Sequence, residues 1–211
     1  MYLLTDSKNS STIFSPLLTN SIVGSAIGVA LFSFASELPD DCYVISAKAP
    51  YPLQPYGNAW YAIHFDADQN KFSDHDQAIL SRDLVVKFIE ELKVKFPIDS
   101  SNITLIGFSQ GSILSYSIAL SYPNIVQRVV ALSGYLNLDI NSNNYQNNDF
   151  SKLKIFASHG TVDQVIPVEW ARKTDPILKS LGINSTYKEY PIGHGVSPQN
   201  FFDLKDWLQG K

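Results

Sequence analysis

The amino-acid sequence predicts an α/β protein, a doubly wound and mainly parallel sheet with helices on both faces. Short apolar runs alternate along the chain with longer stretches whose apolar residues recur at helical spacing. Some of the short runs are apolar at consecutive positions, as strands covered on both faces must be. Neither an internal repeat nor a linker divides the 211 residues, so a single domain over residues 1–211 is expected, long enough to bury a real core.

Residues 21–35, SIVGSAIGVALFSFA, are uncharged and apolar or small throughout. The run is shorter than the ~20 residues a spanning helix needs. The region before it sets one lysine, Lys8, against Asp6, which is not the basic start of a secretion signal. It reads as a loop running into a buried helix. CYVISA, headed by Cys42, is strand-like, and APYPLQPYG (49–57) is a proline-rich loop. Short polar residues from Ser73 to Asp76 begin a helix that runs to about Phe96. Leu80, Leu84, Phe88 and Leu92 recur along it every four residues, with Val85 and Ile89 beside them, and Pro97 stops it.

ITLI (103–106) reads as a short buried strand, and from Ser112 the positions Ile113, Leu114, Ile118 and Leu120 fall at helical spacings, up to Tyr122 and Pro123. RVVALSG (128–134) is a further strand. NLDINSNNYQNNDF (137–150), rich in asparagine, reads as a mobile surface excursion. The strand LKIFASHG follows, then a helix over 168–181 kinked at Pro176, the strand STYKEYP, and a closing helix over 198–208.

Composition narrows the function classes. With 45% hydrophobic and 17% charged residues the chain is an ordinary globular protein, and a net charge of −4 leaves no footprint for nucleic acid or an anionic membrane. One cysteine, Cys42, excludes an intramolecular disulfide and removes any need for an oxidising compartment, so a cytoplasmic location without integral membrane association is expected. Asp74, His75 and Asp76 form a DHD triplet, but adjacent residues rarely converge on one ion. It reads as a solvated helix start, and no metal is expected.

Chemistry concentrates where the strand at 103–106 gives way to a helix. Gly107-Phe108-Ser109-Gln110-Gly111 fits G-x-S-x-G in the strand, tight turn and helix setting of a nucleophile elbow. Such a turn forces the serine into strained backbone geometry, and glycines two residues either way avoid collisions with the adjoining strand and helix. Oγ then stands exposed, and the N–H of Gln110 at the helix N-terminus faces developing negative charge. An alkoxide is too basic to form unaided, so Ser109 needs an imidazole, and the imidazole needs a carboxylate.

In this setting the chain order is serine, acid, histidine. His64 and His75 precede the serine. His159 ends a strand and lies before most carboxylates able to orient it. His194, in PIGHGVSP, follows the last strand on a loop free to swing over the sheet, or is a solvent-exposed loop histidine. Asp163, in ASHGTVDQVIP, follows a strand by a short loop. Asp139 and Asp149 belong to the asparagine-rich excursion, and Asp175 lies inside a helix.

With these residues in place the chain resembles the α/β-hydrolase superfamily and, within it, the small carboxylesterase, lysophospholipase and acyl-protein thioesterase family. The likeness spans residues 38–208 and rests on LPDDCYVISAKAPYPL, GNAWY, LIGFSQGS, ALSGYL, SHGTVDQVIP and YPIGHGVSPQNFFDLKDWL. It implies a Ser109–Asp163–His194 triad that hydrolyses carboxylic esters or thioesters of small-molecule or lipid substrates without a cofactor, in a monomer or weak homodimer. It also implies an exposed apolar groove for an acyl chain. Trp60 is either a wall of that groove or a core or surface aromatic. If His194 is the base, kcat/KM should rise as an imidazole deprotonates, near its reference value of ~6.5.

The chain departs from the family pattern upstream. The family carries a His-Gly-x-Gly loop, one backbone N–H of which completes the oxyanion hole. Here Ile22, Val23, Gly24 and Ser25 fall at those places, with Gly24 at the donor position. A backbone N–H needs no particular side chain, whereas loss of one donor typically costs about 10²–10³ in kcat. A second reading follows from that departure: a catalytically impaired hydrolase-fold protein that binds an acyl or aromatic ligand.

Overall fold

A computed structural model describes residues 1–7, 42–65 and 71–210. Gly24, its neighbours and the apolar run at 21–35 lie outside the described residues. Strands β1 (Tyr2–Ser7) and β2 (Cys42–Ser46) are followed by two small hairpins, β3 (Tyr51–Pro52) with β4 (Asn58–Ala59) and β5 (Ile63–Phe65) with β6 (Lys71–Ser73). Helix α1 (His75–Lys95), β7 (Ile98–Phe108), α2 (Gln110–Ser121), β8 (Arg128–Leu132), β9 (Lys154–Gly160), α3 (Val168–Ser180), β10 (Asn184–Tyr190) and α4 (Pro198–Leu208) complete the order. Among the described residues β10, β9, β8, β7, β1 and β2 form one sheet in that sequence.

The pairs from β7 to β10 are parallel, while β1 runs antiparallel to both β7 and β2. The sheet is therefore mainly parallel, as expected, with β1 alone reversed. Strand β1 had no sequence signal of its own, since it is a single short run with no amphipathic pattern around it. Ile103, Leu105, Val129 and Ile155 pack on one face with α1 to α3, and Ile106, Val130, Leu132 and Phe156 pack on the other against Phe201, Leu204 and Leu208 of α4. Each such side chain contributes about 1.5–3 kcal/mol when fully buried. Helices on both faces are what makes the sheet doubly wound.

Asp74 caps α1, its carboxylate accepting the Gln77 N–H at 2.9 Å, and the helix ends ahead of Pro97 as read. Its buried face keeps Val85, Ile89 and Leu92 of the apolar pattern but not the first two leucines. Ala78, Ser81, Val85, Ile89 and Leu92 are buried, while Leu80 and Leu84 are exposed at 63% and 49%. The reason is helical drift: at 3.6 residues per turn, three steps of four rotate a position by about 120°. A row from Leu80 to Leu92 winds out of solvent into the core.

Helix α2 begins at Gln110, directly after the serine as expected, and is buried at every position from Gly111 to Leu120, so it is a core helix. One further expectation changes. The asparagine-rich stretch is pinned, with Ile140, Tyr145 and Phe150 buried. The Ile140 carbonyl accepts from Arg82 Nη1 at 2.6 Å and Ser117 Oγ at 2.7 Å.

Candidate active site

The carboxyl ends of β7, β9 and β10 open at one edge of the sheet, and the three predicted site residues follow them. At the end of β7, Ser109 has φ 55 and ψ −121, a left-handed backbone that costs a non-glycine residue about 1–3 kcal/mol. The surroundings hold it there. Its N–H donates to Leu132 O on β8 at 2.9 Å, and its carbonyl accepts from the N–H groups of Ser112 and Ile113. A Cβ on Gly107 would stand 2.2 Å from the Gly111 carbonyl oxygen, so the strand can approach the helix only at a glycine. Gly111 itself is different. A Cβ there would make ordinary contact, 3.7 Å, with Trp60 Nε1, so its lack of a side chain answers no collision.

Gln110 has a role that the sequence did not reveal. Its Oε1 accepts the Trp60 N–H at 2.9 Å and its Nε2 donates to Tyr61 O at 2.8 Å, fastening the segment after β4 to the elbow. Ser81 Oγ on α1 donates to Trp60 O from the other side. Trp60 is thus held in the core cluster with 7% exposure. The Gln110 backbone N–H heads α2, where first-turn amides have no intrahelical acceptor.

Asp163 and His194 are brought together by backbone. Beyond the strand ends, Thr161 N–H donates to Tyr190 O at 2.8 Å and Val162 N–H to Ile192 O at 3.2 Å. These bonds zip the loop after β9 to the loop after β10. A Cβ on Gly160 would lie 2.3 Å from the carbonyl oxygens of Ile192 and Gly193, so glycine permits the approach. Ser133, at φ 51 after β8, steadies the same loop by donating from Oγ to Gly195 O at 3.1 Å.

The side chains then meet. His194 Nδ1 lies 2.8 Å from Asp163 Oδ2, and His194 Nε2 lies 3.0 Å from Ser109 Oγ. A carboxylate only accepts, so Nδ1 carries the proton and Nε2 presents its lone pair to the serine hydroxyl. The Phe108 ring packs 4.8 Å from the imidazole, centroid to centroid. The Asp163 side chain is fully buried and its Oδ1 accepts the N–H groups of Val165 at 2.8 Å and Ile166 at 3.0 Å. Burial alone would raise the Asp163 carboxyl, but those amides and His194 outweigh it and hold it below the ordinary carboxylate value.

The other candidates are elsewhere. His64 pairs with Asp74 at 3.4 Å, and His75 Nε2 stands by Asn137 at 3.5 Å. Asp149 accepts from the Ser151 N–H, and Asp175 pairs with Lys179 at 2.6 Å. Among the described residues no three His, Cys, Asp or Glu side chains gather as a metal site. What the edge of the sheet does hold is a hydroxyl, an imidazole and a carboxylate in sequence, an arrangement compatible with nucleophilic catalysis.

Residues 25–210 match the phospholipase/carboxylesterase family. The chain belongs to that family. The matched stretch begins at Ser25, after the place where the sequence sets Gly24. A probable carboxylesterase of Oryza sativa subsp. japonica is 27% identical over 152 residues, 72% of this chain and 57% of that protein. Acyl-protein thioesterase 1 of Emericella nidulans is 31% identical over 159 residues, 71% of this chain and 66% of the relative. The matches thus span less than two thirds of the length of these two relatives. The crystal structure of the Bacillus cereus carboxylesterase superposes with a TM-score of 0.75 at 16% identity, covering 99% of this chain and 93% of that one, which shows the α/β-hydrolase fold. Nothing in these likenesses to phospholipase/carboxylesterase family members supports a merely ligand-binding role. No helix among the described residues is long and apolar enough to cross a membrane.

Proposed function

We propose that this member of the phospholipase/carboxylesterase family is a serine hydrolase of carboxylic esters or thioesters with small to medium acyl groups. Ser109 is the nucleophile, His194 the general base and Asp163 the orienting acid. One observation carries the reading: the continuous path from Ser109 Oγ to His194 Nε2 at 3.0 Å and from His194 Nδ1 to Asp163 Oδ2 at 2.8 Å.

Oγ attacks the acyl carbon as its proton passes to Nε2, and the carbonyl oxygen takes the negative charge. Collapse breaks the bond to the leaving oxygen or sulfur, which receives the proton from Nε2. Water then repeats the sequence on the acyl-enzyme and releases the acid. The Gln110 N–H is one donor to the oxyanion, and Gly24 is the residue the sequence offers for the other. Trp60, beside Gly111 and 7% exposed, is the proposed wall for the acyl group. A single domain, a cytoplasmic setting, acceptance of lipid esters and a monomeric or weakly dimeric state belong to the same reading, supported by family membership and by a lone cysteine.

Hydrolysis of p-nitrophenyl butyrate by the wild type and by Ser109→Ala tests it. Turnover at least a thousandfold above the variant is expected from loss of a triad member, which typically costs about 10⁴–10⁶. Equal rates would contradict it.

A further inference from the structure

The site contains a second imidazole that the mechanism leaves unused. His159, near the end of β9, has a side chain with no exposed surface, packed beside the equally buried side chain of Asp163. Its Nε2 lies 2.9 Å from Ile166 O and 3.2 Å from Asp163 Oδ2. A carbonyl can only accept, so Nε2 carries the proton and donates it to Ile166 O, with the carboxylate oxygen beside it. Nδ1 is buried with no hydrogen-bond partner among the described residues, which suits a bare lone pair far better than a second N–H.

Two imidazoles therefore meet at one oxygen. Asp163 Oδ2 accepts the Nδ1–H of His194 at 2.8 Å and lies 3.2 Å from the protonated Nε2 of His159, while Oδ1 takes the two loop amides. We propose, on the basis of the triad reading, that His159 is a positioning residue that acts through Asp163. It fixes the plane of the carboxylate from the side opposite the amides, so that Oδ2 stays aimed at His194. With its N–H dipole 3.2 Å from the same oxygen it also keeps the carboxylate a weaker base, so the proton between Asp163 and His194 stays on Nδ1 and Nε2 keeps the lone pair that Ser109 needs. Without that donor Asp163 becomes more basic, holds the imidazolium of His194 more tightly, and shifts the onset of activity to higher pH.

The neighbouring charges leave this effect legible. From β10, Glu189 stands in register with His159, but Arg172 of α3 binds it through Nε and Nη2, each at 2.8 Å, and the Tyr187 hydroxyl donates to it at 3.0 Å. The guanidinium holds the Glu189 carboxyl below its ordinary value, so it does not titrate between pH 5 and 8. The Tyr187 hydroxyl is raised, by burial and then by Glu189, and lies outside that window too. Strand β8 brings only Arg128, at its opposite end. Lys188 of β10 is paired with Asp203 of α4 at 2.9 Å, which leaves the Asp163 carboxylate to respond.

The test compares His159→Leu with His159→Gln, whose amide reaches as far as Nε2 and restores a donor, each alone and with Asp163→Asn. His159→Asn, whose amide stops short of Oδ2, replaces the leucine variant if that fails to fold. Loss of the N–H that stands beside the carboxylate and holds Ile166 O should lower kcat on p-nitrophenyl butyrate roughly 10-fold, with KM nearly unchanged. The acid limb of kcat/KM should move to higher pH, and His159→Gln should recover most of the rate and the original limb. With Asp163→Asn already present, removing His159 should cost nothing more. A folded leucine or asparagine variant with an unmoved acid limb, or an equal loss with and without the Asp163 carboxylate, overturns the proposal. Ser109→Ala, assayed alongside, separates the two claims: if it is inactive while the His159 variants match wild type, only the positioning role falls, and if it keeps full turnover, the triad reading falls with it.

Discussion

His194 Nε2 stands 3.0 Å from Ser109 Oγ although 85 residues separate them, and the approach is built from backbone on both sides. A left-handed Ser109 lifts the hydroxyl out of the elbow, while the zipped loops after β9 and β10 carry the imidazole over it. The contact should thus be sensitive to residues that never touch a substrate.

Gly160→Ala is the plainest case. The new Cβ would fall 2.3 Å from two carbonyl oxygens of the histidine loop, which must move. A loss of about 1–3 kcal/mol in stability is expected from such overpacking, with a fall in kcat larger than the rise in KM. Denaturant melts and steady-state kinetics on the folded variant check it.

The two elbow glycines should behave oppositely. Gly107→Ala places Cβ 2.2 Å from the Gly111 carbonyl oxygen, so loss of activity and of stability is expected. Gly111→Ala meets only ordinary contact at Trp60 Nε1, and alanine is favoured over glycine in a helix by roughly 0.5–1 kcal/mol. A melting point equal to or above wild type is expected there. A collapse of both variants would show that the elbow tolerates no side chain at either position.

Acid stability should carry the mark of Asp163. Its folded carboxyl lies below its ordinary value, after the amides and His194 outweigh burial. The stabilisation is therefore present above the unfolded value of ~3.9 and is lost as pH falls through the folded one. Asp163→Asn should be less stable than wild type near pH 6, with the gap narrowing below about pH 4. Urea unfolding midpoints from pH 3 to 6 measure it, and a gap independent of pH would contradict the assignment.

Much of the site was legible because it is written in short segments. G-x-S-x-G announces its own turn, Asp163 sits on a loop that directly follows the apolar strand β9, and His194 sits between two glycines on the loop after β10. The parts that were missed depend on contacts between segments. Gln110 looks like a filler within the motif until its amide is seen bonded to Trp60 and Tyr61. His159 and Asp163 lie four residues apart, but their contact exists only because the chain turns at Gly160, where Asp163 N–H donates to the Gly160 carbonyl at 3.3 Å. Strand β1 owes its place to pairing with β2 and β7. The drift of Leu80 and Leu84 into solvent was readable from helical geometry, by following the rotation along the row.

The central claim, an activated serine oriented by His194 and Asp163, is tested most directly by a fluorophosphonate probe followed by intact mass and peptide mapping. Rapid formation of a single adduct on Ser109, lost in His194→Ala, is the expected result, and it would also show that a working oxyanion site accompanies Gln110. Folded wild-type protein that takes no adduct, or takes one equally well without His194, would contradict it.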